Sequence, residues 1–262
     1  MKKTALAGWL VIATLAGCAT NPITGRSQLL LVSEEEVMNA SEQAYASQMT
    51  EKRNSGRLES NPRTIARVRG IANRIIGQAV KVRPETARWN WQVNVIDDPE
   101  VNAYAMAGGK IAVYTGLLTH VNPTDDELAQ VLGHEIAHAL AGHSREKISI
   151  ATGTDLAIAA YGATQAANQR TQQALSAATL LAVRLPNSRL MESEADRIGI
   201  EIAAKAGYDP NAAVSLWTKM SRNQNSGMPQ FLSTHPSDNT RINALSGLVP
   251  KMMPYYRAAH NQ

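Results

Sequence analysis

Apolar positions recur at helical spacing along most of the chain and alternate in two short places. Ser33 followed by Glu36 is a capping box ahead of one periodic run and predicts a helix to about Arg53. Asn61-Pro62, an N-cap followed by proline at the first helical position, predicts a second to about Val80. Trp89 to Ile96 alternates apolar and polar residues, so it reads as a strand with one buried face. Lys110 to Thr115, after the turn-forming pair Gly108-Gly109, is a second β-like run and the expected edge strand. Thr124 with Glu127 is another capping box, so a third helix begins near Asp125, and Asp209-Pro210 opens a later one. The Ala-rich stretch from Ile150 to Val183 has few charges and predicts one or two helices covering a cleft, as plain packing or as a movable lid.

Composition narrows the class. Of 262 residues 44% are hydrophobic, which supplies one sizeable core and excludes a disordered or collagen-like chain. The net charge of +4 falls to +2 once Lys2 and Lys3 are removed with the leader described next, leaving 24 basic against 22 acidic residues. That balance does not point to nucleic acid. The single cysteine, Cys18, forbids intramolecular disulfides and multi-cysteine metal clusters, so any metal site must use His and carboxylates.

Lys2-Lys3, the apolar run Ala5 to Leu15 and the small residues before Cys18 have the order of a secretory leader. The run is too short to span a bilayer, which takes roughly 20 apolar residues. Leu15-Ala16-Gly17-Cys18 resembles a bacterial lipobox, which implies cleavage before Cys18 and lipidation of its thiol. Ala19 follows the cysteine, where Asp would favour retention at the inner membrane; the expected destination is therefore the outer membrane, facing the periplasm. The turn-rich residues up to about Leu31 read as a tether.

The third helix carries the chemistry: Gly133-His134-Glu135-Ile136-Ala137-His138. At roughly 100° per residue, residues four apart differ by about 40° in azimuth, so both imidazoles point at one ion with Glu135 beside them. Zinc lowers the pKa of a water there and the carboxylate takes its proton. A catalytic zinc wants three protein ligands and an open position. His143 lies half a turn round from His134 unless Gly142 breaks the helix, and reads as a helix-end histidine favoured by the macrodipole. In Met191-Glu192-Ser193-Glu194-Ala195-Asp196, a helical wheel puts Met191, Ala195, Ile198 and Ile202 in the core. Glu194, Arg197, Glu201 and Lys205 fall on a flank that reads as solvated, while Glu192 and Asp196 share the other flank beside Gly199 and Ala203, where another helix can approach closely. One of those two carboxylates can bind metal while the other holds a histidine's second ring nitrogen.

These strings, with His235-Pro236 and Arg241, with Asn102-Ala103-Tyr104-Ala105 and with Ser188-Arg189, resemble the gluzincin metalloendopeptidases of the HtpX and CaaX-prenyl-protease family, particularly its periplasmic lipoprotein branch. The resemblance implies an α+β, mainly helical zincin (gluzincin) fold with a small mixed β-sheet beside the active-site helices. It implies one zinc ion held by His134, His138 and Glu192, with Glu135 as general base, Asp196 behind a ligand histidine, and His235 and Arg241 steadying the oxyanion. Asn102 and Ala103 precede the edge strand that in such enzymes pairs with extended substrate. One departure is Asn187, where the family often has Tyr before the Ser-Arg pair. The expected organisation is a leader over 1–17, a lipidated tether over 18–31, a zinc metallopeptidase domain over 32–250 and a C-terminal tail over 251–262. The expected substrates are unfolded or misassembled envelope proteins, with the membrane reached through the lipid on Cys18 and the outer-membrane assembly machinery as a further partner. Two other classes compete: an assembly chaperone that cuts rarely, and a purely structural zinc protein, which the intact Glu135 disfavours.

Overall fold

The computed structural model describes residues 18–161, 187–222, 230–235 and 239–261. The leader, the part of the Ala-rich stretch from 162 to 183, and Pro236 with the two residues after it lie outside the described residues. The caps stand where the spacing puts them. Helix α1, Glu34–Asn54, is capped by Ser33 with both bonds of the box formed by Glu36, and α2, Pro62–Val82, by Asn61. Strand β3, Gln92–Ile96, follows a short 3-10 turn, and two further strands, β4 (Ala103–Met106) and β5 (Lys110–Tyr114), complete a three-stranded sheet. Helix α3, Asp125–Leu140, carries the Thr124 capping box and is buried along nearly its whole length. After it come α4 (His143–Tyr161), α5 (Arg189–Lys205), α6 (Asn211–Arg222), the short α7 (Gln230–Thr234) and α8 (Asn239–His260).

The sheet order is β3-β5-β4, with β3 parallel and β4 antiparallel to β5. The expected edge strand is therefore the central one, and Ala103–Met106 forms one edge, with β3 at the other. The reason lies in the turn. Gly108 and Gly109 both take positive φ, 75° and 80°, and fold β4 back along one side of β5, leaving its other side to β3. A strand with neighbours on both sides and cover on both faces must be dry throughout, and every residue of β5 is buried, Lys110 included. The Lys110 ammonium is satisfied by the Asn90 carbonyl and the Glu42 carboxylate.

β4 packs on α3, and α3 crosses α5 at a contact made of glycine. A Cβ on Gly133 would stand 2.7 Å from the Gly199 carbonyl oxygen, and one on Gly199 would stand 2.8 Å from the His134 backbone nitrogen. Both helices bear the site residues, so this closeness sets how near they come. Gly199→Ala meets backbone on the far side, which cannot rotate away. It is expected to cost about 1–3 kcal/mol, the range for an overpacked core, read as a lowered thermal midpoint. An unchanged midpoint would mean that the helices part freely.

Residues 18–31 are not a loose tether over their whole length. β1 (Cys18–Thr20) and β2 (Ser27–Leu29) pair antiparallel, and the buried Asn21 and Gln28 side chains both donate to the carbonyl of Ala141, at 2.8 and 3.0 Å. That carbonyl is one of the acceptors that the end of α3 leaves unmatched. A polar, turn-rich sequence here serves as a cap for another helix, a role that local composition cannot reveal. The expected tail after residue 250 is likewise helical, since α8 runs on through Pro250 and Pro254 to His260. Among the described residues no helix is long and apolar enough to cross a membrane.

Candidate metal centre

The turn of α3 containing His134 and His138 faces the first turns of α5. One donor atom each from His134, His138, Glu192 and His235 lies within 4.8 Å of the others, and all four residues are buried. The two Nε2 atoms of His134 and His138 stand 3.0 Å apart, and His235 Nδ1 is 3.1 Å from His134 Nε2. Glu192 presents Oε1 at 3.3 Å from His138 Nε2 and 3.0 Å from His235 Nδ1, and Oε2 at 3.3 Å from His134 Nε2. Imidazole nitrogens that face each other cannot all carry protons, so several lone pairs and a carboxylate converge on one point. That is a cation's donor set.

Glu135 Oε1, also buried, has no hydrogen bond among the described residues; the His235 ring lies beside it, with Nε2 at 3.4 Å. An orphaned carboxylate oxygen beside convergent donors fits a water held by a metal ion. Burial raises the pKa of Glu135 above the usual carboxylate range. Burial also pushes His138 well below the ordinary imidazole value. For His134 the same burial is outweighed by the Glu192 charge and the Asp196 hydrogen bond, which raise it to about 9. The pocket thus favours one positive charge held among its nitrogens by Glu192, whose own pKa is driven down by the His235 and His134 charges against its burial.

Behind the donors, each carboxylate is itself held. Asp196 Oδ1 sits 3.0 Å from His134 Nδ1, the nitrogen pointing away from the cluster, so it fixes that ring's tautomer. Arg241 grips Asp196 with Nε and Nη2, both at 2.7 Å, and places Nη1 2.7 Å from Glu192 Oε2. Its guanidinium lies 3.6 Å over the Trp217 ring from α6. Arg241 is thus committed to two site carboxylates. The wheel's core stripe and its paired acids are as expected, and Gly199 is where α3 approaches.

His235 is brought in from the end of α7, with its ring stacked on Phe231 at 4.5 Å between centroids. The backbone of Asn187 donates to the Thr234 carbonyl and so ties this arm to the start of α5. Asn187, noted in the sequence only as a departure, is a site residue: its Nδ2 donates to Glu192 Oε1 at 2.8 Å, and its Oδ1 accepts from Lys147 at 2.8 Å. Asn102 and Ala103 stand at the start of the edge strand; Asn102 Oδ1 accepts from its neighbour Ala103 N, and its Nδ2 donates to Glu100.

Two expectations are overturned. Glu194 is buried rather than solvated, and His143 is a fully enclosed residue at the start of α4, not a charged one at a helix C-terminus. Gly142, at φ 65°, ends α3 and turns the chain so that His143 comes back against His138, with the two Nδ1 atoms 2.7 Å apart. His143 Nε2 lies 3.0 Å from Glu194 Oε2. Burial keeps His143 below the ordinary imidazole value, and the hydrogen bonds of His143 and Arg26 outweigh burial to hold Glu194 at about 2.

The model of Peptidase family M48 matches residues 62–249. The chain belongs to that family. Both helices that supply the donors lie inside the match, as does the edge strand. Among curated relatives it is 34% identical over 247 residues to the mitochondrial metalloendopeptidase OMA1 of Bos taurus, covering 89% of this chain and 46% of that protein. To the human OMA1 it is 35% identical over 244 residues, with the same coverage of 89% and 46%. It is 26% identical over 224 residues to the beta-barrel assembly-enhancing protease of Yersinia pestis, covering 82% of this chain and 44% of that protein. The chain therefore spans about half the length of the curated relatives it matches. For an M48 member the mainly helical build with a small mixed sheet and a His/Glu cluster is that of a gluzincin-type fold, and the buried donor set suits one zinc ion.

Proposed function

We propose that the protein is a zinc-dependent metalloendopeptidase of the bacterial envelope, anchored by lipid on Cys18 to the outer membrane and facing the periplasm. Its substrates in this reading are unfolded or misassembled envelope proteins. The observation that carries the reaction is the buried Oε1 of Glu135, which has no hydrogen bond among the described residues, beside the donors of His134, His138 and Glu192. Zinc held by those three residues would supply Lewis-acid polarisation of the scissile carbonyl and acidify the attacking water. Glu135 takes that water's proton and returns it to the leaving amide nitrogen; its raised pKa suits a group that must do both. Asp196 holds His134 by Nδ1, and Arg241 holds Asp196 and Glu192 in place. His235 Nε2, 3.4 Å from Glu135 Oε1, is the donor that this reading assigns to the charge developing on the carbonyl oxygen. Edge strand β4, which begins at Ala103 just after Asn102, offers backbone to an extended substrate by strand addition, which suits unfolded clients.

The envelope location rests on the leader, the lipobox-like string before Cys18 and the likeness to a beta-barrel assembly-enhancing protease. Cys18→Ala is expected to abolish palmitate labelling and membrane recovery. Equal labelling of variant and wild type would contradict it.

One observation favours the second reading, an assembly chaperone with weak or latent protease activity. His235 Nδ1 is a fourth donor in the cluster, and four protein donors leave no open position. Digestion of casein or an unfolded porin with and without chelator separates the two. The protease reading predicts cleavage that the chelator stops and zinc restores. Client binding with no cleavage would move the conclusion to the chaperone.

A further inference from the structure

The two ligand histidines are supported in parallel ways, and only one of the two supports lies wholly within the stretch that the family model matches. His134 is held through Nδ1 by Asp196, which Arg241 grips with two bonds. Among the described residues no carboxylate reaches His138 Nδ1 directly. Its Nδ1 meets His143 Nδ1 at 2.7 Å, His143 Nε2 meets Glu194 at 3.0 Å, and Glu194 is gripped by Arg26 with Nε at 2.9 Å and Nη2 at 3.1 Å. The tautomers follow from the partners. Glu194 accepts, so His143 carries its proton on Nε2 and offers a lone pair at Nδ1; His138 then donates from Nδ1 and keeps Nε2 bare toward the cluster.

Arg26 lies in the turn between β1 and β2, 120 residues before Glu146 and 168 before Glu194. Its Nη1 and Nη2 also donate to the two oxygens of Glu146, each at 2.6 Å. Gln28 adds a bond to Glu146 at 2.9 Å, so the guanidinium is fixed on two elements, α4 and α5. A planar fork satisfied on two carboxylates has one orientation, and it transmits that orientation to Glu194.

We propose that Arg26 is a positioning residue of the metal centre, acting on His138 through Glu194 and His143, which makes the N-terminal hairpin part of the site rather than a mooring. The proposal rests on the zinc-peptidase reading above. It assigns the hairpin a purpose that its docking alone does not require: the ring of one ligand histidine is aimed by a residue next to the chain's membrane-facing end.

The test uses the full mature chain and its zinc dissociation constant, measured by competition with a chromophoric chelator. Loss of a partner behind a ligand histidine typically weakens metal binding about 10–100-fold. Glu194→Gln and His143→Gln are expected to fall in that range, and Arg26→Gln to shift the constant the same way by a smaller factor. Arg26→Gln combined with Glu194→Gln should match Glu194→Gln alone, because the two act along one path. Arg26→Lys keeps the charge but loses the fork, and should lie between wild type and Arg26→Gln. In zinc-saturated assays kcat should fall while KM holds. Glu201→Gln, elsewhere on α5, should leave every value unchanged. If Arg26→Gln lowers the unfolding temperature of the stripped protein yet leaves zinc affinity and kcat at wild-type values, the hairpin is only packing and the proposal fails. Additive losses in the double variant overturn it as well. A wild-type chain that takes up no zinc would sink both this proposal and the reading beneath it, whereas normal wild-type uptake with unaffected variants sinks the proposal alone.

Discussion

Glu135→Gln is expected to keep about one zinc per chain while losing a factor on the order of 10² to 10⁴ in peptidase rate. The amide has the shape of the carboxylate and leaves His134, His138 and Glu192 untouched, so the donor set survives. What it lacks is the basic oxygen. Burial holds the carboxyl's pKa up, and among the described residues Oε1 has no hydrogen bond that would blunt it, which suits exchange of a proton in both directions. Elemental analysis and initial rates on one preparation decide the point: loss of zinc together with activity would make Glu135 a ligand and not a base.

Glu192→Gln is expected to act in the opposite order, emptying the site first. Removing the carboxylate takes away one of the three ligands that a catalytic zinc requires. It also takes from the buried Arg241 one of its two carboxylate partners, Glu192 Oε2 at 2.7 Å from Nη1, leaving Asp196 to answer the guanidinium. Zinc content should fall well below one per chain under dialysis that wild type withstands, with activity falling in step. A variant that retains full zinc would show that Asp196 or His235 holds the ion instead.

Much of this was readable in the residues because the signals were local. A capping box needs only Ser33 and Glu36, or Thr124 and Glu127, and both are formed. The spacing of His134 and His138 on a helix, and of Glu192 and Asp196 on another, puts each pair on one face without reference to anything else. Gly199 beside those acids announced a close crossing, and Gly133 is what it meets.

Most of the misreadings share a cause, a partner far away in sequence. Glu194 looks solvated on its own helix because the wheel cannot include Arg26, which comes from the N-terminal hairpin to bind it. His143 looks like an exposed helix-end histidine only if the helix is taken to stop there. The alternative was visible in Gly142, whose positive φ starts a new helix and turns the ring inward. β5 was taken for an edge because a hairpin turn does not say on which side a third strand will add, and β3 joins it across a parallel pairing. Asn187 gave no signal beyond being unusual; its role depends on Lys147 and His235 arriving from two other elements.

In this reading His134, His138 and Glu192 together hold one catalytic zinc. Crystals of the zinc-loaded protein, measured on both sides of the zinc absorption edge, test it most directly. A single anomalous peak is expected, bonded to Nε2 of both histidines and to the Glu192 carboxylate, with Glu135 beside it and not bonded to it. A peak ligated by Glu194 or His143, or none at the cluster, would contradict it.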